Sequence, residues 1–377
     1  MNSRNRSFLR AASFFSSSSR LARRLPAEFV GMILALFACV DFATVVHAQT
    51  EEPSTALISS RAVALNPETG KVYAVDTRRG VVSVFDPRSQ SISTVRVGAG
   101  PIAIAVNAVA NRIYVANSEG GSVSVIDGKK DSVLATLSVG PRPYVIAVNS
   151  VTNKIYVSNT FSNVVTAIGG ATNSMTIVKA GSADAIVVDS RLDKVYLLGY
   201  EDTNLTVLNK VPSVVSKIPA GIHAWSMAVD ETTGTLYVTR AGSSELVIVD
   251  EVSGAVATVP TGAVPCAVAI NPVNKTVYVA NHGDDTVTVI DGTRRAVIAT
   301  VKVGQSPQAV AVDPKTNRVY VANTHSDDVT VIDGGRNNVL KTLHAGRNPY
   351  ALAVDPNSGW LYVASFGEPA LAVVDPR

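Results

Sequence analysis

The sequence predicts an all-β fold, a closed ring of four-stranded antiparallel sheets, eight in number. Three observations predict it. A tyrosine-centred apolar run recurs at Tyr73, Tyr114, Tyr156, Tyr196, Tyr237, Tyr278, Tyr320 and Tyr362, spaced by 40 to 42 residues. Each interval holds four short runs rich in β-branched residues, divided by turn residues and without helical periodicity. The last unit is one run short, while a spare run stands before the first. Four antiparallel strands in a unit of about 40 residues make a β-propeller blade.

The unit from Pro307 to Gly346 shows the pattern. Its strands are expected at Ala309–Val312, Arg318–Ala322, Val329–Ile332 and Val339–Leu343. Asp313-Pro314 and Asp333-Gly334 turn the chain between them. The first strand alternates small and large residues, as in Ala309, Val310, Ala311 and Val312. Strands nearest the axis crowd together, so one face has to be small. The units run at about 61–100, 101–141, 142–181, 182–221, 222–262, 263–304, 305–346 and 347–377.

The final unit offers only Ala351–Val354, Trp360–Ala364 and Ala370–Val374. The segment Ser54–Ser60 occupies the place that an outer strand holds elsewhere. It is expected to pair with Ala370–Val374, closing the ring and removing its edges. Seven blades is the alternative, should one unit fail to form a sheet.

The string YVAN occurs at Tyr114, Tyr278 and Tyr320, and YVSN at Tyr156. The YVAN units continue into SVSVIDG, TVTVIDG and DVTVIDG. These strings resemble the YVTN-repeat β-propeller family over residues 57 to 377. The resemblance implies the fold and an exported protein. It implies no shared catalytic motif, since such propellers serve binding, surface-layer and enzymatic roles.

Residues 1–48 differ in kind. Six arginines and no acid fall in the first 24 residues, followed by the twelve-residue apolar run Phe29–Val40 and then Val46-His47-Ala48. This is the layout of a signal peptide cut after Ala48, leaving 49–53 as a linker and 54–377 as the propeller. The expected location is periplasmic or secreted. A lipid anchor at Cys39, in Leu36-Phe37-Ala38-Cys39, is the alternative. Without residues 1–48 the chain carries 27 basic and 28 acidic residues, so no global field recruits nucleic acid. One cysteine, Cys266, remains, which excludes an intrachain disulfide and marks it as a small apolar filler.

Function is sought where units depart from the repeat. The residue at the head of the innermost strand reads Arg61, Ile102, Tyr144, Asp184, Trp225, Cys266, Gln308 and Tyr350 around the ring. A second series follows YVx: Asn117, Asn159, Asn281 and Asn323, against Asp76, Gly199, Arg240 and Ser365. The asparagines are expected to cap the following turn. Tyr200, Phe366, Arg142, His223 and Arg347 belong to the same upper face. The expected ligand site is therefore the upper channel mouth, with Arg61, Tyr144, Asp184, Trp225, Arg240, Gln308 and Tyr350.

Catalytic and metal signals are poor. His223, His282, His325 and His344 lack ligand spacing, and no G-x-S-x-G elbow occurs. The loops at Asn281–Asp285 and Asn323–Asp328 lack the alternation of a calcium loop. With only Trp225 and Trp360, no quinone-type cofactor is expected. The reading is a monomeric, non-catalytic binding or scaffold propeller for a protein or glycan. The alternatives are a single-stranded nucleic-acid binder, with bases stacked on the aromatic mouth, and a propeller enzyme of lactonase or lyase type. In the last, Asp184 would work with Tyr144 or Arg61.

Overall fold

The computed structural model describes residues 62–159, 162–181, 183–209, 212–367 and 371–376. All regular structure in them is β-strand. The strands form eight antiparallel sheets in sequence order, seven of four strands and a last one of three, which settles the blade number at eight. In the seventh blade the strands run Pro307–Asp313, Arg318–Asn323, Asp328–Asp333 and Asn338–His344. Each is slightly longer than the expected apolar run, because backbone pairing continues into the flanking turn residues.

Burial lies between the blades. The second blade offers Tyr114, Val123 and Val125 to Ile146, Ile155, Val157 and Ile168 of the third. Equivalent clusters fill the later seams. All eight repeat tyrosines are 2% exposed or less. The ring closes because Val63 and Val72 of the first blade share a cluster with Ala351, Tyr362 and Ala364 of the eighth. Phe85 stacks on Trp360 across that seam, with centroids 5.9 Å apart. Hydrophobic contact thus closes the ring within the described residues. The expected partner Ser54–Ser60 and Ala370 lie outside them; the last described strand is Leu371–Val374.

Polar bonds reinforce the seams on the lower face, where each inner strand ends. The Nδ2 of Asn66 donates to Oδ1 of Asn111 at 2.7 Å, and Asn107 repeats the bond to Asn153 at 2.7 Å. Asn149 donates to Asp193 at 2.6 Å, and Asn271 to Asn317 at 2.8 Å. Each links the residue that ends or directly follows one inner strand to the turn of the next blade. Between the fifth and sixth blades the Lys275 ammonium meets Asp230 at 3.3 Å instead.

The YVx asparagines do not cap the following turn as expected: the Oδ1 atoms of Asn117, Asn159, Asn281 and Asn323 are buried without a hydrogen-bond partner, and the bonds run through Nδ2. Asn117 is fully buried, and its Nδ2 donates to Ser122 and Ser124 at 3.1 and 3.0 Å. Asn281 does the same with Thr286 and Thr288 at 3.0 and 2.8 Å. They tie the second strand to hydroxyls of the third, a partner invisible without the register.

Candidate functional site

The variable position at the head of the inner strand has a structural cause. In six blades the pairing with the second strand slips there, by Ile102, Tyr144, Trp225, Cys266, Gln308 and Tyr350. A β-bulge leaves one residue outside the ladder and re-aims its side chain. The position is thus free to vary while the ladder on either side repeats.

The bulged side chains do not all reach solvent. Ile102, Cys266 and Tyr350 are 4, 2 and 5% exposed. The Cys266 thiol is a buried spacer, donating to the Pro307 carbonyl at 3.1 Å. Tyr350 lies against Phe366 with centroids 4.3 Å apart. Gln308 is half-buried on the seventh blade, and Arg61 falls outside the described residues.

The fourth and fifth blades gather the other members. Tyr200 follows the second strand of the fourth blade, and its carbonyl accepts the His223 N–H at 2.7 Å. The Tyr200 ring lies 4.8 Å from His223 and meets Trp225 edge-on at 6.2 Å. Asp184 accepts the Tyr200 N–H on Oδ2 at 2.7 Å. Burial, with the charges of Asp202 and Glu201 behind it, raises the Asp184 carboxyl above its ordinary range, although the Tyr200 bond pulls the other way. Tyr144 stands on the neighbouring third blade within range of this charge; burial and the Asp184 charge push its phenol up to about 12. The phenol is therefore neutral at ordinary pH and able to donate. Arg240 stands at the edge, its Nε donating to the Ile222 carbonyl at 3.1 Å.

Tyr144, Asp184, Tyr200, His223 and Trp225 thus make one aromatic and acidic cluster on adjacent blades, while Gln308 and Tyr350 belong to another part of the rim. Below the cluster lies a cavity of about 550 Å³, walled by inner-strand residues such as Ile104, Ile146, Val187 and Met227. That volume suits a small ligand. Ser190 and Glu231 mark its lower end.

Two further groupings were not read from the sequence. Ser306 Oγ and His325 Nδ1 are 2.6 Å apart on the upper face of the seventh blade. On the lower face, Glu251 is 5% exposed beside the fully buried Asp189. The second had a signal: Glu251 stands where other units carry the glycine of VIDG. Among the described residues, no three His, Cys, Asp or Glu side chains converge as metal ligands would.

The family described as Lactonase, 7-bladed beta-propeller matches residues 46–340. The chain belongs to this family. It carries one blade more than the family's description states, and the match ends within the outer strand of the seventh blade. No curated protein matches. Among solved structures, a chain of Kuenenia stuttgartiensis hydrazine synthase is similar with a TM-score of 0.61 and 19% identity, over 78% of this chain and 99% of that one. The dihydro-heme d1 dehydrogenase NirN, in complex with DHE, is similar with a TM-score of 0.69 and 13% identity, over 87% of this chain and 75% of that one. At such identities the likeness is one of fold. The family match overturns the expectation of a non-catalytic binding or scaffold propeller. Absence of a familiar motif was the warrant for that expectation. It failed because a propeller assembles its groups from several blades, so no local string records them.

Proposed function

We propose that the protein is a propeller enzyme that opens lactones by hydrolysis, with Asp184 as the general base. One observation carries the assignment of residues. In a chain of the Lactonase family, a partly desolvated carboxyl stands at the channel mouth beside a neutral phenol and an aromatic wall. Hydrolysis of a cyclic ester needs water delivered to the carbonyl carbon and a donor for the oxygen that gains charge. Asp184 Oδ1 takes a proton from the attacking water, while Oδ2 stays fixed by the Tyr200 N–H. The Tyr144 hydroxyl donates to the carbonyl oxygen as it becomes an oxyanion. The ring C–O bond then breaks, and the departing alkoxide takes back a proton. Trp225 and Tyr200 supply flat apolar surface for the substrate ring.

The YVAN strings place the chain, in our reading, among YVTN-repeat propellers, and residues 1–48 make it an exported one.

The test is acid release from a panel of γ- and δ-lactones, followed at constant pH. Wild type should hydrolyse at least one. Asp184→Asn should lose roughly 100-fold or more of that rate with its melting temperature unchanged. Full activity in Asp184→Asn would move the base elsewhere, the Ser306–His325 pair being the next place to look.

A further inference from the structure

The repeat provides its own control for one seam. In the second, third and seventh blades the lower turn ends in Asn111, Asn153 and Asn317, and the third strand is followed by Gly128, Gly170 and Gly334. A Cβ on Gly128 or Gly170 would collide with the Asn111 or Asn153 carboxamide, and one on Gly334 would lie 2.7 Å from Asn317 Oδ1. Asparagine in the turn and a side chain at the glycine position therefore exclude each other.

The fifth blade changes both positions. The turn carries Gly234 and the other position Glu251, yet the Glu251 N–H still donates to the Gly234 carbonyl at 2.9 Å. The equivalent bond in the second blade, Gly128 to Asn111, is 3.0 Å. The backbone is unchanged, and the carboxyl fills the vacated space: Glu251 Oε2 lies 3.6 Å from where a Gly234 Cβ would stand. In place of an amide bond to the fourth blade, it faces the fully buried Asp189, and both of its carboxyl oxygens are buried without a hydrogen-bond donor. Two carboxyls facing each other in a dry seam cannot both be ionised without a large cost.

We propose that the fourth and fifth blades are joined by a proton shared between the Asp189 and Glu251 carboxyls, and that its loss loosens this seam beside the lower end of the central cavity. The groups facing the pair fit this arrangement. Arg191 pairs with Asp189 at 3.4 Å, whereas neither carboxyl oxygen of Glu251 has a hydrogen-bond donor, so the proton resides on Glu251. The Tyr196 hydroxyl and the Lys194 side chain face Glu251 from the fourth blade. Glu231, on the fifth, accepts the Ser190 N–H at 3.3 Å and adds negative charge nearby. Burial first, then the Asp189 charge, push the Glu251 carboxyl up to about 7. Its folded affinity for the proton exceeds its unfolded affinity. The stabilisation is therefore complete below the ordinary carboxylate range and is lost as pH rises towards neutrality. Ser190 and Glu231 line the cavity, so the loosened seam opens on its lower end.

The test is amide hydrogen exchange in the full-length protein at pH 5.5 and 8, corrected for intrinsic rates. Peptides covering 185–198 and 224–240 should lose protection at pH 8 in wild type, while those of the sixth and seventh blades should not. Glu251→Gln should abolish the difference. A double change, Gly234→Asn with Glu251→Gly, installs the amide staple of the other seams. Asparagine suits that turn, since Gly234 has φ of 67° and Asn153 already adopts 52°. It should be protected equally at both pH values, and it decides the matter if Glu251→Gln misfolds. No pH-dependent loss in wild type, or the same loss in the double variant, would overturn the proposal.

Discussion

The Tyr73 hydroxyl of the first blade donates to Asp131 Oδ1 of the second across 2.8 Å, and the Lys71 ammonium holds the other oxygen of that carboxylate at 2.5 Å. The same tyrosine in the third blade, Tyr156, is equally buried but has no such bond. One repeat position thus does two energetic jobs. Both rings fill a seam, and only Tyr73 adds a charge-assisted tie. Tyr73→Phe should lower stability by about 1–3 kcal/mol, leaving Asp131 short of a donor in a partly buried site. Tyr156→Phe should be close to neutral. Urea melts of the two variants compare them directly; equal losses would show that the ring alone matters.

The buried asparagines give a second stability prediction. Asn323 donates to Asp328 and Thr330 at 2.6 and 2.8 Å inside the seventh blade. Asn323→Ala should cost about 1–3 kcal/mol, since it removes the bonds to Asp328 and Thr330 and leaves a void. Lactone hydrolysis should be unaffected, because the residue packs within its blade and away from the Tyr144–Trp225 cluster. A fall in activity with stability intact would instead make the asparagine ring part of the site.

The fold was legible because it is periodic. Tyr114 and its seven counterparts announce one blade each, and all eight rings are buried; the strand expected to complete the three-run final unit lies outside the described residues. The site was legible only in part. The head-of-strand series named Tyr144 and Trp225, where a bulge frees the position from the ladder, and Asp184, which stands just before a regular strand; these three fall on adjacent blades in the proposed site. The same series named Tyr350, yet Phe366 covers it, and no residue adjacent in sequence reveals which neighbour will lie on top. The Ser306–His325 contact joins loops nineteen residues apart and breaks no pattern of type or spacing. Glu251 did break one, but its meaning depends on Gly234 having lost its side chain, which is a spatial coincidence of two departures.

Trp225→Ala separates binding from chemistry. The indole is half-buried at a strand head and touches Tyr200 by its edge, so its removal leaves the seam clusters intact. KM for the best lactone should rise roughly 10- to 30-fold, equivalent to about 2 kcal/mol of binding, with kcat much less changed. A drop in kcat at unchanged KM would place the indole against the reacting atoms.

Asp184 makes the pH dependence directional. As a base it works only when ionised, so kcat/KM should fall on the acid side with a midpoint above the ordinary carboxylate range. Burial is the largest cause, and the Asp202 and Glu201 charges add to it. Glu201→Gln with Asp202→Asn removes those charges without touching the burial, and should therefore shift the acid limb to lower pH while leaving the plateau rate nearly unchanged. Asp184→Asn should abolish the limb together with the rate. Stability moves the opposite way: a carboxyl whose folded pKa exceeds its unfolded one contributes most below the unfolded value and loses that contribution as pH rises through the folded one. The protein should therefore gain activity as Asp184 ionises and lose a little stability over the same interval. An acid limb that stays in place when the two neighbouring charges are removed would mean that Asp184 is not the group titrating in the rate.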